Sequence, residues 1–561
     1  MCHTVAMVAP AHTDPPGDAA PPRPLAVPTP RPRSSWDSWG TEPARLPPAA
    51  KAIVATLLPG KAHPVRRRAA PRLTPSLLPD ADFDALAGIL GDAHLTRTDE
   101  GRVLHLGGKS TPDLLRRRLD DPQAAPDAVA SPADHDEVGA VLRLCAARGI
   151  AVVPFGGGTS VVGGVDPDRG AHHAVIALDL TRTAALLALD EVSLLATFGA
   201  GTTGPQAEEM LGARGLTLGH FPQSFAYASL GGYAATRSSG QASRGYGRFD
   251  DLVHALRVAT PAGDLALGRS PASAAGPDLR QLFLGSEGAF GVLTEVTVRV
   301  RPVPAATAYR AWSFPDFMSG AAAFREATQR GIRPTVLRLS DETETRVNAA
   351  MGGHLTRLRG CLAVATFESA TASEAEAARD DLDRVFTAHG ATSRGEDPAR
   401  SWERGRFASP ALRDALMDTG VLAETLETAT TWANLPALKR AVTTALTESL
   451  AATGTKPIVL CHISHVYPAG ASLYFTVVAA LTDDPQTQWR RAKDAASHAI
   501  TDAHGTITHH HAVGRDHRPY LEAEIGTLGV EVLRAVKAVL DPTGIMNPGA
   551  LVVPPAPTER A

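Results

Sequence analysis

Five glycines fall within nine residues of the stretch Pro154-Phe155-Gly156-Gly157-Gly158-Thr159-Ser160-Val161-Val162-Gly163-Gly164. Glycine adopts positive φ and lets a backbone approach a ligand closely. Successive N–H groups in such a turn form a concave nest for an anion, a pyrophosphate above all. A flexible surface loop is the alternative reading. The run has no Gly-Lys-Ser/Thr of a P-loop, and no helical pattern follows at once as a dinucleotide fingerprint requires. Two more tracts of the same kind follow: Gly219 to Ser224 continuing into Ser229 to Gly240, and Leu284 to Val292. Three loops crowded with Gly, Ser and Thr in one domain suit a long polar cofactor, with backbone for its phosphates and hydroxyls for its sugar chain.

A second group of residues offers proton chemistry. His509-His510-His511 stand in a row. On a strand they would alternate faces, with His509 and His511 on one side and His510 on the other. Without an acidic or cysteine partner at ligand spacing, metal binding is not expected. Imidazoles that titrate near neutrality suit proton transfer and anion contact instead.

The elements that must position these groups are legible in part. Asp134 to Arg148 carries Val138, Val141, Leu142 and Cys145 at helical spacing, with Gly149 as a stop. Ile150 to Val153 is a short strand feeding the first glycine loop. Ala174 to Leu180, Leu194 to Phe198 and Val292 to Val300 read as strands, and Pro205 to Arg214 as a helix. From Ala308 onward, strands at Thr335–Leu339, Leu362–Phe367, Ile458–Leu460 and Leu473–Leu481 alternate with helices at Asp316–Arg330, Glu374–His389 and Pro436–Ala452. That order suggests an antiparallel sheet covered by helices. Upstream, a helix is expected within Leu73–Leu90 and a short strand at Arg102–His105. Arg116, Arg117 and Arg118 are expected to form a solvated helix face. Trp36 and Trp39 are expected to pack the N-terminal arm onto the body.

Composition bounds the rest. The 561 residues carry 55 Lys+Arg against 59 Asp+Glu, a net charge of −4, so no nucleic-acid partner is implied. Cys2, Cys145, Cys361 and Cys461 are far apart, which fits a reducing compartment. No apolar run reaches membrane-span length and the N-terminus lacks a secretory apolar core, so a cytoplasmic location is expected. Residues 8 to 34 are rich in Pro and Ala, and an arm over 1–60 is expected to be disordered.

The three loop tracts resemble the PCMH-type FAD-binding domain of the vanillyl-alcohol oxidase family. Tyr246-Gly247, Asp250-Asp251-Leu252-Val253, His509–His511 with Val513-Gly514, and Asp541-Pro542 with Met546-Asn547-Pro548-Gly549 resemble its alkylglycerone-phosphate synthase branch. The likeness covers roughly residues 100 to 552. It implies an α+β fold: two α/β subdomains binding FAD over 122–302, after a helical segment at 61–121. A cap with an antiparallel sheet follows over 303–515, and 516–561 returns to the FAD domain.

By the same resemblance, Pro154, Phe155, Gly156, Gly157, Gly158, Thr159 and Ser160 would hold the FAD pyrophosphate. Pro222, Ser224, Ser229, Leu230, Gly231, Gly232, Thr236, Arg237, Ser238, Ser239, Glu287, Gly288, Gly291 and Val292 would line the rest of the cofactor. Thr159 and Ser160 after the glycine triplet imply non-covalent FAD. Tyr474 matches a catalytic tyrosine, and His509, His510 and His511 would line the active site. Arg338 and Arg413 resemble substrate-pocket arginines; a salt bridge to Asp341 or Asp414 is the alternative for each. Gln241 to Arg244, and the two histidines of Cys461-His462-Ile463-Ser464-His465, depart from that branch. The implied activity is exchange of the acyl group of an acyl-glycerone phosphate for a long-chain alcohol, with an apolar tunnel lined by the cap. A small-molecule or lipid substrate, peripheral membrane contact and a homodimer come with it. A 2-hydroxy-acid dehydrogenase on the same scaffold is the alternative, and a non-enzymatic flavoprotein a third reading.

Overall fold

The structure is a computed structural model and describes residues 24–30, 33–41, 45–46, 48–58, 65, 70–119, 121–351 and 359–553. The helix His135–Arg148 begins at Asp134, whose carboxylate accepts from the N–H groups of Asp136 and Glu137 at 3.0 Å each. It ends at Gly149 in the left-handed region, where glycine carries no steric cost. Its apolar stripe is buried against the strand Ile150–Phe155, so the helix stop aims the strand at the first glycine loop. That strand runs parallel to Ala174–Asp179, which runs parallel to Ala128–Ala130. Leu95–Thr96 adds an antiparallel edge, completing four strands. A second, five-stranded antiparallel sheet has the order Leu186–Asp190, Leu195–Gly199, Val292–Arg299, Val253–Thr260, Gly263–Leu267.

The cap is a seven-stranded antiparallel sheet. Its order is Thr392–Ser393, Ala306–Phe314, Cys361–Ser369, Val336–Ser340, Ile458–Ile463, Gly470–Ala480, Val421–Thr431. Helices Phe317–Gln329, Ala372–Ala388, Leu435–Ala451 and Pro485–Asp502 pack into its core. Along Gly470–Ala480 the residues Leu473, Phe475, Val477 and Ala479 are fully buried toward those helices. The two-residue period then turns Tyr474, Thr476 and Val478 to the opposite face, into a cavity between the cap and the half that carries the glycine loops. The α+β class expected from the sequence is the observed one.

The C-terminal segment returns to the first sheet. The Val152 N–H donates to the Ile545 carbonyl and the Asn547 N–H to the Val152 carbonyl, both at 2.8 Å. Asn547 Nδ2 then donates to the carbonyls of Gly164 (2.8 Å) and Glu287 (2.6 Å), tying the first and third loops together.

Four expectations are corrected. Arg102–His105 is not a strand: the Thr98 hydroxyl caps the helix Asp99–Arg102, and a 3₁₀ turn Val103–His105 follows. Arg102 is buried there because its guanidinium donates to the Pro126 and Thr74 carbonyls. Arg117 and Arg118 are buried rather than solvated. Arg117 donates to the carbonyls of Trp36 and Gly108, each at 2.7 Å, and Arg118 pairs with Asp418 of the cap at 2.8 Å. The arm is ordered where it is described. Ala26 bridges to Leu186, Arg33 pairs with Asp179, Trp39 is buried as its packing role requires, and Pro48–Leu57 is a helix. Residues 1–23 of the expected arm, with Cys2, and most of 59–69 lie outside the described residues. Finally, His509–His511 lie in an irregular turn rather than on a strand, so face alternation does not apply.

Candidate active site

The cavity has a volume of about 1170 Å³ and is lined by all three loop tracts on one side and by the cap sheet on the other. That exceeds the usual range for one drug-sized ligand, roughly 300–1,000 Å³. On the loop side, Gly157 is packed so closely that a Cβ would stand 2.0 Å from the Tyr227 carbonyl oxygen. Gly288 has φ +74, and a Cβ there would lie 2.7 Å from Pro154 Cγ. Only a backbone without side chains fits between these turns. Among the described residues, the N–H groups of Gly156 to Ser160 donate to no protein acceptor, and all five residues line the cavity, a cradle of backbone donors. These are the properties a pyrophosphate needs, and the residues present fit FAD.

Of the cofactor residues expected from the sequence, eighteen line the cavity: Pro154, Phe155, Gly156, Gly157, Gly158, Thr159, Ser160, Pro222, Ser224, Ser229, Gly231, Gly232, Thr236, Ser238, Ser239, Glu287, Gly288 and Gly291. Three do not. Leu230 and Val292 turn into the core at 0% exposure, each neighbouring a lining residue on the opposite face. Arg237, left-handed at the end of the helix Leu230–Thr236, turns away to the Leu284 carbonyl and Asp250.

The opposite wall is made of side chains. Tyr474 sits directly across the sheet from His462, and their rings lie 4.8 Å apart at 21°. His462 Nδ1 is 3.0 Å from Glu344 Oε2 and 2.9 Å from Arg338 Nη2, and Arg338 itself pairs with Glu344. Arg413 pairs with Glu424 at 3.0 Å, with its guanidinium 5.4 Å from the Trp39 ring centre. Both arginines line the cavity, and neither pairs with the aspartate of its own motif. Asp341 pairs instead with Lys439, and the Asp414 carboxylate accepts from the Trp39 N–H.

The histidine run is gathered by Glu427, which sequence reasoning missed. Its carboxylate accepts from the N–H groups of His509 (2.5 Å), His510 (3.0 Å) and His511 (2.8 Å), and from the Thr508 hydroxyl (2.6 Å). His510 and His511 line the cavity; His509 lies behind them, its Nε2 2.6 Å from the Tyr467 hydroxyl. The Tyr474 ring centre is 6.1 Å from His510 and 5.8 Å from His511.

The electrostatics divide the wall into donors and acceptors. Burial opposes the Glu427 charge, but the facing histidines and Thr508 hold its carboxyl well below the usual carboxylate range. Burial pushes His509 and His511 down to about 3 and lowers His510 as well, against the pull of Glu427. These imidazoles are therefore neutral at neutral pH, with lone pairs available. Burial pushes the Tyr474 phenol up to about 12, so it keeps its proton. A protonated phenol facing neutral imidazoles is an acid–base set. His462, His465 and Glu344 also line the cavity. The two histidines were visible in the sequence only as a departure, and Glu344 not at all.

Comparison with known proteins agrees with this geometry. Residues 126–266 match the FAD binding domain family, and residues 303–551 match the family of FAD linked oxidases, C-terminal domain. The chain is 33% identical to an alkyldihydroxyacetonephosphate synthase of Trypanosoma brucei brucei, over 88% of this chain and 84% of that protein. It is 28% identical to a mitochondrial D-lactate dehydrogenase [cytochrome] of Arabidopsis thaliana, over 76% of this chain and 74% of that one. A solved alkyldihydroxyacetonephosphate synthase superposes with a TM-score of 0.80 at 26% identity, covering 92% of this chain and 98% of its own. The chain is an FAD-dependent enzyme and belongs to the alkyldihydroxyacetonephosphate synthase family.

Proposed function

We propose that the protein exchanges the acyl group of an acyl-dihydroxyacetone phosphate for a long-chain alcohol, forming the ether bond of an alkyl-dihydroxyacetone phosphate. The observation that carries this reading is an apolar part of the cavity lining. Val54, Leu58, Met351, Leu412, Leu416 and Leu460 line the cavity, and Val54, Met351, Leu412 and Leu416 pack in one cluster, an apolar branch suited to an alkyl chain. A 2-hydroxy-acid dehydrogenase would have no use for that branch.

In this reading FAD, held non-covalently in the glycine cradle, supplies the electrophilic centre at which the substrate is activated. The chain's own residues do the rest. Arg413 and Arg338 present permanently charged guanidinium groups to the phosphate, their geometry fixed by Glu424 and Glu344. Tyr474 holds a proton at its phenol oxygen, and the neutral ring nitrogens of His510 and His511 accept the alcohol proton. Trp39, Val54 and Leu58 of the arm join the cap residues in lining the cavity. Lipid uptake through the apolar branch would bring its mouth to a membrane surface, and a homodimer in the cytoplasm belongs to the same reading. The three described cysteines, all buried and unpaired, fit a reducing compartment.

The test is chain length. Leu416→Trp, at the apolar branch, is expected to shift the preferred alcohol to shorter chains with little loss on the shortest. An unchanged length profile would contradict the assignment of this branch to the alkyl chain.

A further inference from the structure

Three imidazoles converge at the edge of the acid–base wall. His465 follows the strand Ile458–Ile463, while His509 and His510 belong to the turn gathered by Glu427. Their ring centres are 5.1 Å (His465–His509), 5.2 Å (His509–His510) and 5.5 Å (His465–His510) apart. One nitrogen of each lies within 4.8 Å of the other two, and the Nδ1 atoms of His509 and His510 are 3.0 Å apart. A tetrahedral ion with metal–nitrogen bonds of about 2.0–2.1 Å needs donor atoms about 3.4 Å apart, so small side-chain rotations complete the arrangement.

The outer partners are those of a ligand set. The Tyr467 hydroxyl engages His509 Nε2 at 2.6 Å, and the Ser239 hydroxyl engages His465 Nδ1 at 3.3 Å. Each contact leaves the other nitrogen of that ring as the donor atom and fixes the ring plane. Glu427, 3.6 Å from His510 Nδ1, supplies negative charge beside the trio. In three dimensions the run has partners that its local spacing lacks, because His465 reaches it from more than forty residues away and Glu427 from more than eighty.

We propose that His465, His509 and His510 form a binding site for a borderline divalent ion of the zinc class. Three nitrogen donors favour such an ion over magnesium or calcium, which take oxygen ligands. His465 and His510 line the cavity, so the fourth position opens toward it and takes an oxygen ligand, as in sites that keep one position for water or substrate. The ion and a proton use the same lone pairs on His509 and His510. Metal occupancy and proton acceptance at those two rings are alternative states. The site does not depend on which substrate the cavity takes.

The experiment is a titration of the FAD-loaded full-length protein, stripped with a chelator and desalted, with cobalt(II) chloride. Four-coordinate cobalt absorbs in the red, clear of the flavin bands. The expected result is a band that saturates at one equivalent and is displaced by zinc(II). His465→Gln is expected to abolish it while flavin absorbance is kept, which marks a folded chain. Tyr467→Phe, which removes only the hydroxyl, is expected to weaken cobalt binding about 10-fold. His498→Gln, at an exposed histidine, is the control and leaves it unchanged. No saturable band in the parent protein, or an undiminished one in His465→Gln, overturns the site. Should His465→Gln lose its flavin, an unaltered cobalt affinity in Tyr467→Phe overturns it equally.

Discussion

The two walls of the cavity are built by opposite means. The cofactor side is backbone: glycines packed against neighbouring carbonyls, with N–H groups that have no protein acceptor among the described residues. The cap side is side chains: Tyr474, His510, His511, Arg338 and Arg413. Buried carboxylates hold most of them, with Glu427 under the histidines, Glu344 under Arg338 and His462, and Glu424 under Arg413. A backbone wall tolerates no added atoms but does not depend on any one side chain's chemistry. The side-chain wall tolerates shape changes better than changes of charge or proton inventory.

Substitutions separate the two. Tyr474→Phe keeps the ring and its stack on His462 but removes the proton. Turnover is expected to fall on the order of 10³-fold with flavin content unchanged, within the 10²–10⁴ range of general acid–base catalysis. Steady-state rates on flavin-matched protein check this; a loss below about tenfold would remove Tyr474 from the chemistry. Gly157→Val should behave inversely, because its Cβ would meet the Tyr227 carbonyl at 2.0 Å. Overpacking of about 2–3 kcal/mol corresponds to roughly a 100-fold loss of FAD affinity, read as flavin absorbance per protein after gel filtration.

Glu427→Gln tests whether a carboxylate organises the histidine run. Charge-assisted hydrogen bonds are worth about 1.5–3 kcal/mol, so a fall of roughly 10–100-fold in turnover is expected while flavin is kept. Because its folded pKa is depressed, the Glu427 contribution to stability is complete above the ordinary carboxylate range. It is lost only as pH falls below that range. Thermal unfolding of Glu427→Gln should therefore differ from the parent at pH 7 and converge with it toward pH 3.

The smallest effect concerns the junction of the two walls. Lys109 hydrogen-bonds the arm at the Ser35 carbonyl, while its own carbonyl accepts from Trp39 and Arg413. Burial, reinforced by Arg117, pushes its amine from 10.5 down to about 7. Between pH 7 and about 10.5 the unfolded chain thus binds more protons at this group than the folded one. Its contribution to stability therefore rises with pH through that window. Lys109→Met is expected to unfold at a higher temperature than the parent at pH 6.5 and to lose that advantage by pH 9.5.

The contrast between the walls also explains what was legible in the sequence. Glycine loops are local: their residues are contiguous and their conformational demands appear in the residue types. Eighteen of the expected cofactor residues therefore reach the cavity. The exceptions fail for geometric reasons, since Leu230 and Val292 belong to the right segments but point to the core face. On the cap side, Tyr474 was reachable through resemblance and the strand through its apolar run, but none of its supports was. The strand Val421–Thr431, which carries both Glu424 and Glu427, mixes β-branched Val and Thr with the helix formers Leu, Ala and Glu, so its local preference is divided. Its eleven-residue pairing with Gly470–Ala480 decides that local preference. Arg117 and Arg118 were misjudged for the same reason, because the carbonyls and the Asp418 that accept them come from other segments.

The central claim is that the two walls together exchange an acyl for an alkyl group rather than oxidise a small hydroxy acid. The direct measurement is an anaerobic incubation of the FAD-loaded protein with acyl-dihydroxyacetone phosphate and a labelled long-chain alcohol, following both the label and the flavin spectrum. The account predicts labelled ether lipid, released fatty acid in equal amount, and flavin in its oxidised form at the end. No labelled product, together with bleaching of the flavin on later addition of a small 2-hydroxy acid such as D-lactate, would contradict it.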